Sequence, residues 1–268
     1  MVVFFIRDLF YIAALFYLLA YLLTWGPAVF CSGKWMFFFR CLLCAGLFAN
    51  FLSAAGRYYF SWPMMPMYQA PFFLPFVIGI FSFKTIWHKQ AGWRLLVSAI
   101  CILSLAAVFF PNDFYLPFLK SKTSFSHLYL LFGVVGKACF LIAGIKAMVY
   151  LINYYSDKQS FDRKIQHPFS LKEDDRTAGW IIMGFVFWTL SMFAGAIWSY
   201  LGWGCPVVWD DPSITATMAT WFFYICFLHL HLTRFRSLPM LNWCALTGAL
   251  LVLILNCGHE IGPFRLPL

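Results

Sequence analysis

The sequence predicts an all-α integral membrane protein of about eight transmembrane helices, with both termini on the extracytoplasmic side. Three observations carry that expectation. Hydrophobic residues make up 63% of the 268-residue chain and charged residues 11%, with a mean hydropathy of +0.79. A soluble domain carries about 25% charged residues. The apolar residues gather into runs long enough for helices that cross a hydrocarbon core of ~30 Å, which takes ~20 residues each. Lysine and arginine, finally, are unevenly shared between alternate connections.

The first run, residues 9–30, is too long for the core of a cleaved signal peptide and lacks a small-residue cleavage site, so it reads as a retained helix. Seven more runs follow at residues 36–56, 70–87, 93–110, 128–153, 179–200, 217–233 and 239–257. Short connections leave no room for a soluble domain, and residues 1–268 read as a single polytopic membrane domain. The stretch 153–177 mixes both signs of charge and reads as a solvated loop between the fifth and sixth helices.

Of the 19 lysines and arginines, twelve fall on connections of one side, among them Lys84, Lys89, Arg94, Lys158 and Arg163. Five fall on the other: Arg7, Arg57, Lys120, Lys122 and Arg265. Lys137 and Lys146 lie inside the fifth run. The positive-inside rule puts the larger group in the cytoplasm. The net charge of +9 comes from clusters at helix ends rather than a basic stripe, so membrane lipid is the expected surrounding and nucleic acid is not. Most of the nine cysteines sit within apolar runs (Cys41, Cys44, Cys101, Cys139, Cys226, Cys244) and are expected as buried free thiols. Cys41 and Cys44 form a lone CxxC, a weak signal for redox or metal chemistry.

With this orientation, most of the unusual residues fall on the outer side. The segment WGCPVVWDDPSIT, Trp203 to Thr215, places two indoles and a carboxylate in one outer loop at about 202–216. Trp203 and Trp209 offer flat π faces, Gly204 permits close backbone approach and Asp210 or Asp211 supplies an acceptor, a platform suited to a planar amphipathic ligand such as a porphyrin. The segment resembles the tryptophan-rich WWD motif of the haem-handling superfamily that includes CcsA/ResC, CcmC and CcmF, usually WGxYWxWDPKET. Trp203, Gly204, Trp209 and Asp210 match without a gap. Asp211 is an insertion, Val207 replaces the middle tryptophan, and Pro206 stands where an aromatic is common.

Two histidines flank this loop in the expected topology. His127 sits where an outer connection enters the fifth helix, and His259 follows the outer end of the eighth. The segment SHLYLLFGVVGKACFLIAGIKAMVYL resembles the family's helix that opens with one external haem-ligating histidine, and NCGHEIGPF is similar to the closing segment that carries the other. The resemblance therefore implies that His127 and His259 are axial ligands of haem iron. His229, inside the seventh helix, matches the family's membrane histidine, and an ionisable group there is a functional candidate in its own right. His231 lies two positions on, about 200° around the helix, so one pocket does not easily use both. Arg57 ends a segment like the family's arginine before a proline-containing outer loop and is a candidate partner for a haem propionate. Lys120 and Lys122 are weaker candidates for that task.

The resemblance extends from about Phe48 to Pro263. It implies a haem lyase subunit in cytochrome c maturation at the cytoplasmic (inner) membrane, with haem b as substrate or cofactor. It also implies a CcsB/ResB-like membrane partner and apocytochrome c substrates carrying CxxCH. No side chain is expected to act as a nucleophile, and the chain has no CxxCH of its own. Two other classes fit parts of the pattern: a HemX-like non-catalytic membrane regulator or adaptor, and a b-type haem subunit of a quinol oxidoreductase.

Overall fold

The computed structural model describes residues 2–25, 33–61, 65–66, 70–111, 115–116, 123–159, 170–207, 209–233 and 237–264. Among the described residues, eight α-helices occupy the eight apolar runs: α1 (Val2–Trp25), α2 (Gly33–Ser61), α3 (Ala70–Trp87), α4 (Trp93–Phe109), α5 (Ser124–Gln159), α6 (Ser170–Trp203), α7 (Pro212–Leu232) and α8 (Leu238–Leu251). A π-helical segment, Val252–Cys257, and a 3-10 turn, Gly258–Glu260, continue α8. The protein is an all-α, multi-pass membrane protein.

Six of these helices are long and apolar enough to cross a bilayer: those within α1, α2, α5, α6, α7 and the α8 segment. The other two, Phe72–Trp87 and Trp93–Phe109, are shorter. At 1.5 Å per residue they reach only ~25 Å. Their termini are set by a tight connection: Lys89 and Gly92 both take positive φ (51° and 82°), so the chain reverses within a few residues of Trp87. Elsewhere helices outrun their apolar runs. Hydropathy marks only the apolar middle, whereas hydrogen bonding carries α5 and α6 on into polar ends.

The chain divides into two compact units, Met1–Leu130 with Glu260–Leu268, and Leu131–His259. In the first, α1 packs on α2 and α4, and α3 on α4 and α2. Phe10, Ala14, Phe72, Ala107 and Val108 form a buried cluster, with Phe10 edge-on to Phe72 at 5.0 Å. Gly46 lets α1 and α2 approach, since a Cβ there would meet the Tyr17 ring at 2.8 Å. A two-residue antiparallel ladder, Met65–Pro66 (β1) with Tyr115–Leu116 (β2), ties the α2–α3 connection to the α4–α5 connection.

The second unit is built on glycines. A Cβ at Gly136 would meet the Trp188 backbone nitrogen at 3.2 Å, and Gly144 lies directly against Ala249. Such small residues let apolar helices pack closely where burial from lipid supplies little drive. The Phe140 and Tyr224 rings stack at 3.7 Å, joining α5 to α7, and Trp221 Nε1 donates to Thr189 Oγ1 at 3.0 Å, joining α6 to α7. Large apolar side chains such as Phe37, Phe48, Ile80, Phe193 and Phe222 are exposed, the outer surface expected of a protein solvated by lipid.

The described cysteines are free, but burial divides them differently from the sequence expectation. Cys101 and Cys139 are buried, whereas Cys41, Cys44 and Cys226 are exposed. Lipid and protein core are both apolar, so an apolar run does not say which of them a thiol will face.

Candidate functional site

The tryptophan-rich loop owes its shape to a helix end and a helix start. Gly204 adopts φ +76°, a conformation that glycine takes without a Cβ penalty, and its N–H donates to the Tyr200 carbonyl at 2.9 Å. Ser199 Oγ closes the same turn by donating to the Cys205 carbonyl at 2.7 Å. On the far side, the Asp211 carboxylate accepts from Ser213 N–H at 2.8 Å and from Ser213 Oγ at 2.6 Å, capping α7, with Pro212 in its first turn. The inserted Asp211 is therefore a helix cap. Asp210, next to the cap, is exposed. Asp-Pro ahead of an apolar run is a helix-start signal.

Between these ends, Trp203 meets Trp198 edge-on at 5.4 Å yet remains 46% exposed, and Trp209 is 69% exposed. Two large indole surfaces thus stay open beside an exposed carboxylate. Removing the cap and removing the free acid should separate cleanly. Asp211→Ala is expected to cost ~1 kcal/mol of stability, read as a lower thermal midpoint in detergent, whereas Asp210→Ala should leave that midpoint unchanged. Equal midpoints for both variants would reject the capping role.

The first unit gathers another set. His127 lies in the first turn of α5, half-buried, with its ring 6.1 Å from the Tyr58 ring near the end of α2. Arg57, next to Tyr58, is 5% exposed, and its guanidinium lies 3.6 Å from the centroid of the Phe72 ring. Gly262 N–H donates to the Phe110 carbonyl at 3.1 Å, and Phe264 packs on Phe109 and Phe110. The C-terminal segment is thereby held at the end of α4. The ends of α2 and α4, the start of α5 and the residues that follow His259 are therefore at one end of this unit.

His259 itself lies in the 3-10 turn Gly258–Glu260, and its side chain is outside the described residues, as are Lys120 and Lys122. His229 is exposed on α7, while His231 is half-buried with its ring parallel to Phe227 at 6.4 Å. Among the described residues, no three of His, Cys, Asp and Glu come together as a metal-ion site. The half-buried imidazole of His127 and the exposed indoles of Trp203 and Trp209 are of the kind a haem would use, the first toward iron and the others as flat apolar surface. That chemistry fits a porphyrin, whose iron takes one imidazole per face.

Residues 9–261 match the family described as cytochrome C assembly protein. The chain belongs to this family. Among relatives of this cytochrome c assembly protein, the cytochrome c biogenesis protein CcsA of Welwitschia mirabilis is 25% identical over 202 residues, 64% of this chain and 66% of that protein. The CcsA of Chlamydomonas reinhardtii is 23% identical over 183 residues, 64% of this chain and 50% of that one. A CcsA of Prochlorococcus marinus reaches 36% identity over 78 residues, 29% of this chain and 25% of that protein. The chain thus spans from a quarter to about two-thirds of these relatives' lengths. The same fold occurs in the solved structure of the cytochrome c haem lyase CcmF, with a TM-score of 0.66 and 15% identity over 97% of this chain and 48% of that one.

Proposed function

We propose that this protein acts in cytochrome c maturation as a haem lyase subunit, holding haem b at the outer membrane face for thioether attachment to CxxCH apocytochromes. The observation that carries the reading is the exposure of two indoles, Trp203 and Trp209, beside a helix end turned at Gly204 and a helix start capped by Asp211. An exposed tryptophan pair held by two helix ends suits a planar ligand better than it suits packing.

In this reading His127 and His259 are the axial ligands, Trp203, Gly204, Trp209 and Asp210 form the platform, and Arg57 is the partner of a propionate. Support for the pair comes from the first unit, where His127 and the segment directly after His259 share one end. His229, exposed on α7, is the candidate for an earlier haem contact within the membrane. The chemistry asks little of the side chains. Each thiol adds across a haem vinyl bond, sulfur to one carbon and hydrogen to the other, so nothing leaves and no nucleophile is needed from this chain. What the chain supplies is orientation of the vinyl edge and protection of the iron until the substrate histidine replaces a ligand. A CcsB/ResB-like protein is the expected partner.

The orientation is tested by cysteine labelling in intact cells, in a Cys205→Ser background. Ser124→Cys and Thr215→Cys, both at exposed positions, are expected to react with an impermeant maleimide from outside. Ser160→Cys, outside the described residues, should react only after permeabilisation. The reverse pattern would put the platform in the cytoplasm and remove it from any apocytochrome that has crossed the membrane.

A further inference from the structure

Lys137 lies in the middle of an apolar helix, ten residues or ~15 Å along α5 from His127, and it is 7% exposed. Its Nζ donates to the backbone carbonyl of Asn256 at 3.3 Å, 119 positions away in sequence. Asn256 lies in the π-helical segment Val252–Cys257, which ends with Gly258 N–H bonded to the Leu253 carbonyl. Its side chain is also held: Nδ2 donates to Thr220 Oγ1 on α7 at 2.7 Å, and Thr220 Oγ1 donates to the Ala216 carbonyl at 2.9 Å. Lys137, Asn256 and Thr220 are all buried.

The physical sense of this arrangement lies in how helices end. The last carbonyls of a helix have no intrahelical donor and carry partial negative charge, so a cation there satisfies an acceptor and meets the favourable end of the dipole. In a membrane such an acceptor is costly to leave bare, and a buried lysine is costly to keep without a bond of this kind. A π turn also widens the helix by one residue, which changes the direction in which the following chain leaves it. Here the residue three positions beyond Asn256 is His259.

Resting on the reading of His259 as a haem ligand, we infer that Lys137, with Asn256 and Thr220, is a positioning group that fixes the exit of the terminal helix and so the placement of His259. Lys137 touches the helix end, and Thr220 holds it from the opposite helix. Neither needs to meet haem.

The test uses the full chain with its native membrane partner, comparing Lys137→Met, Lys137→Arg and Thr220→Val. In haem-free protein, hydrogen exchange at residues 257–262 is expected to rise at least about tenfold in Lys137→Met and to return toward wild type in Lys137→Arg, with exchange in α6 unchanged. In haem-loaded protein, Lys137→Met should lose low-spin absorbance, regain part of it with added imidazole, and lose no more when combined with His259→Ala. If Lys137→Met does not accumulate, Thr220→Val, nearly the same shape without the hydroxyl, carries the comparison and should show the same local rise. Wild-type exchange at 257–262 in the accumulating variants overturns the positioning role, as does an additive loss of absorbance in the double variant. A rise in exchange alongside an inert His259→Ala would instead sink the ligand assignment while leaving the helix lock in place.

Discussion

His127→Ala or His259→Ala is expected to abolish cytochrome c assembly in cells and to strip the purified protein of most of its low-spin haem absorbance. Losing one imidazole opens one face of the iron to water and oxidation, and the haem edge is no longer held in one orientation. Imidazole added to the medium should restore part of both signals, because a free ligand can enter the gap that alanine leaves. His127 is suited to this comparison, since its ring is only half-buried at the first turn of α5 and alanine is well tolerated in a helix. Wild-type spectra and wild-type assembly in both variants would remove the axial pair. Haem absent from the native protein as well would favour the HemX-like adaptor.

Trp209→Ala should weaken haem retention by roughly tenfold, while Trp209→Phe keeps most of it. A stacked aromatic contributes ~1 kcal/mol beyond its buried area, and about 1.4 kcal/mol corresponds to a factor of ten in affinity. Because Trp209 is 69% exposed, its removal leaves no cavity, so the thermal midpoint of the haem-free protein should not move. Retention is read by competition with a haem scavenger. A fall in the haem-free midpoint with unchanged retention would mean that the indole supports the loop and not a ligand.

Much of this protein was legible in sequence because bilayer crossing is a strong constraint. The third and fourth runs, at 70–87 and 93–110, coincide with Ala70–Trp87 and Trp93–Phe109 almost to the residue. At 18 and 17 residues, closed by the positive-φ turn at Lys89 and Gly92, they are at the short end of what crosses a bilayer. The candidate site is legible in sequence only as residue types: indoles, glycine and histidine in order. It was not legible at Asp211, whose capping of α7 depends on the local geometry of the turn.

The sequence alone determined that the chain is helical and that it belongs in a membrane, and it named the candidate residues for haem, because hydropathy, charge bias and motif order are properties of the chain itself. Tertiary structure decided what faces what. The buried Arg57 against Phe72, the exposed Cys41 and Cys44, and the bond from Lys137 to Asn256 are invisible to any local pattern. Lipid and protein interior are nearly the same solvent for a side chain, so only packing between distant helices settles which apolar face is inside and which buried polar group finds its partner.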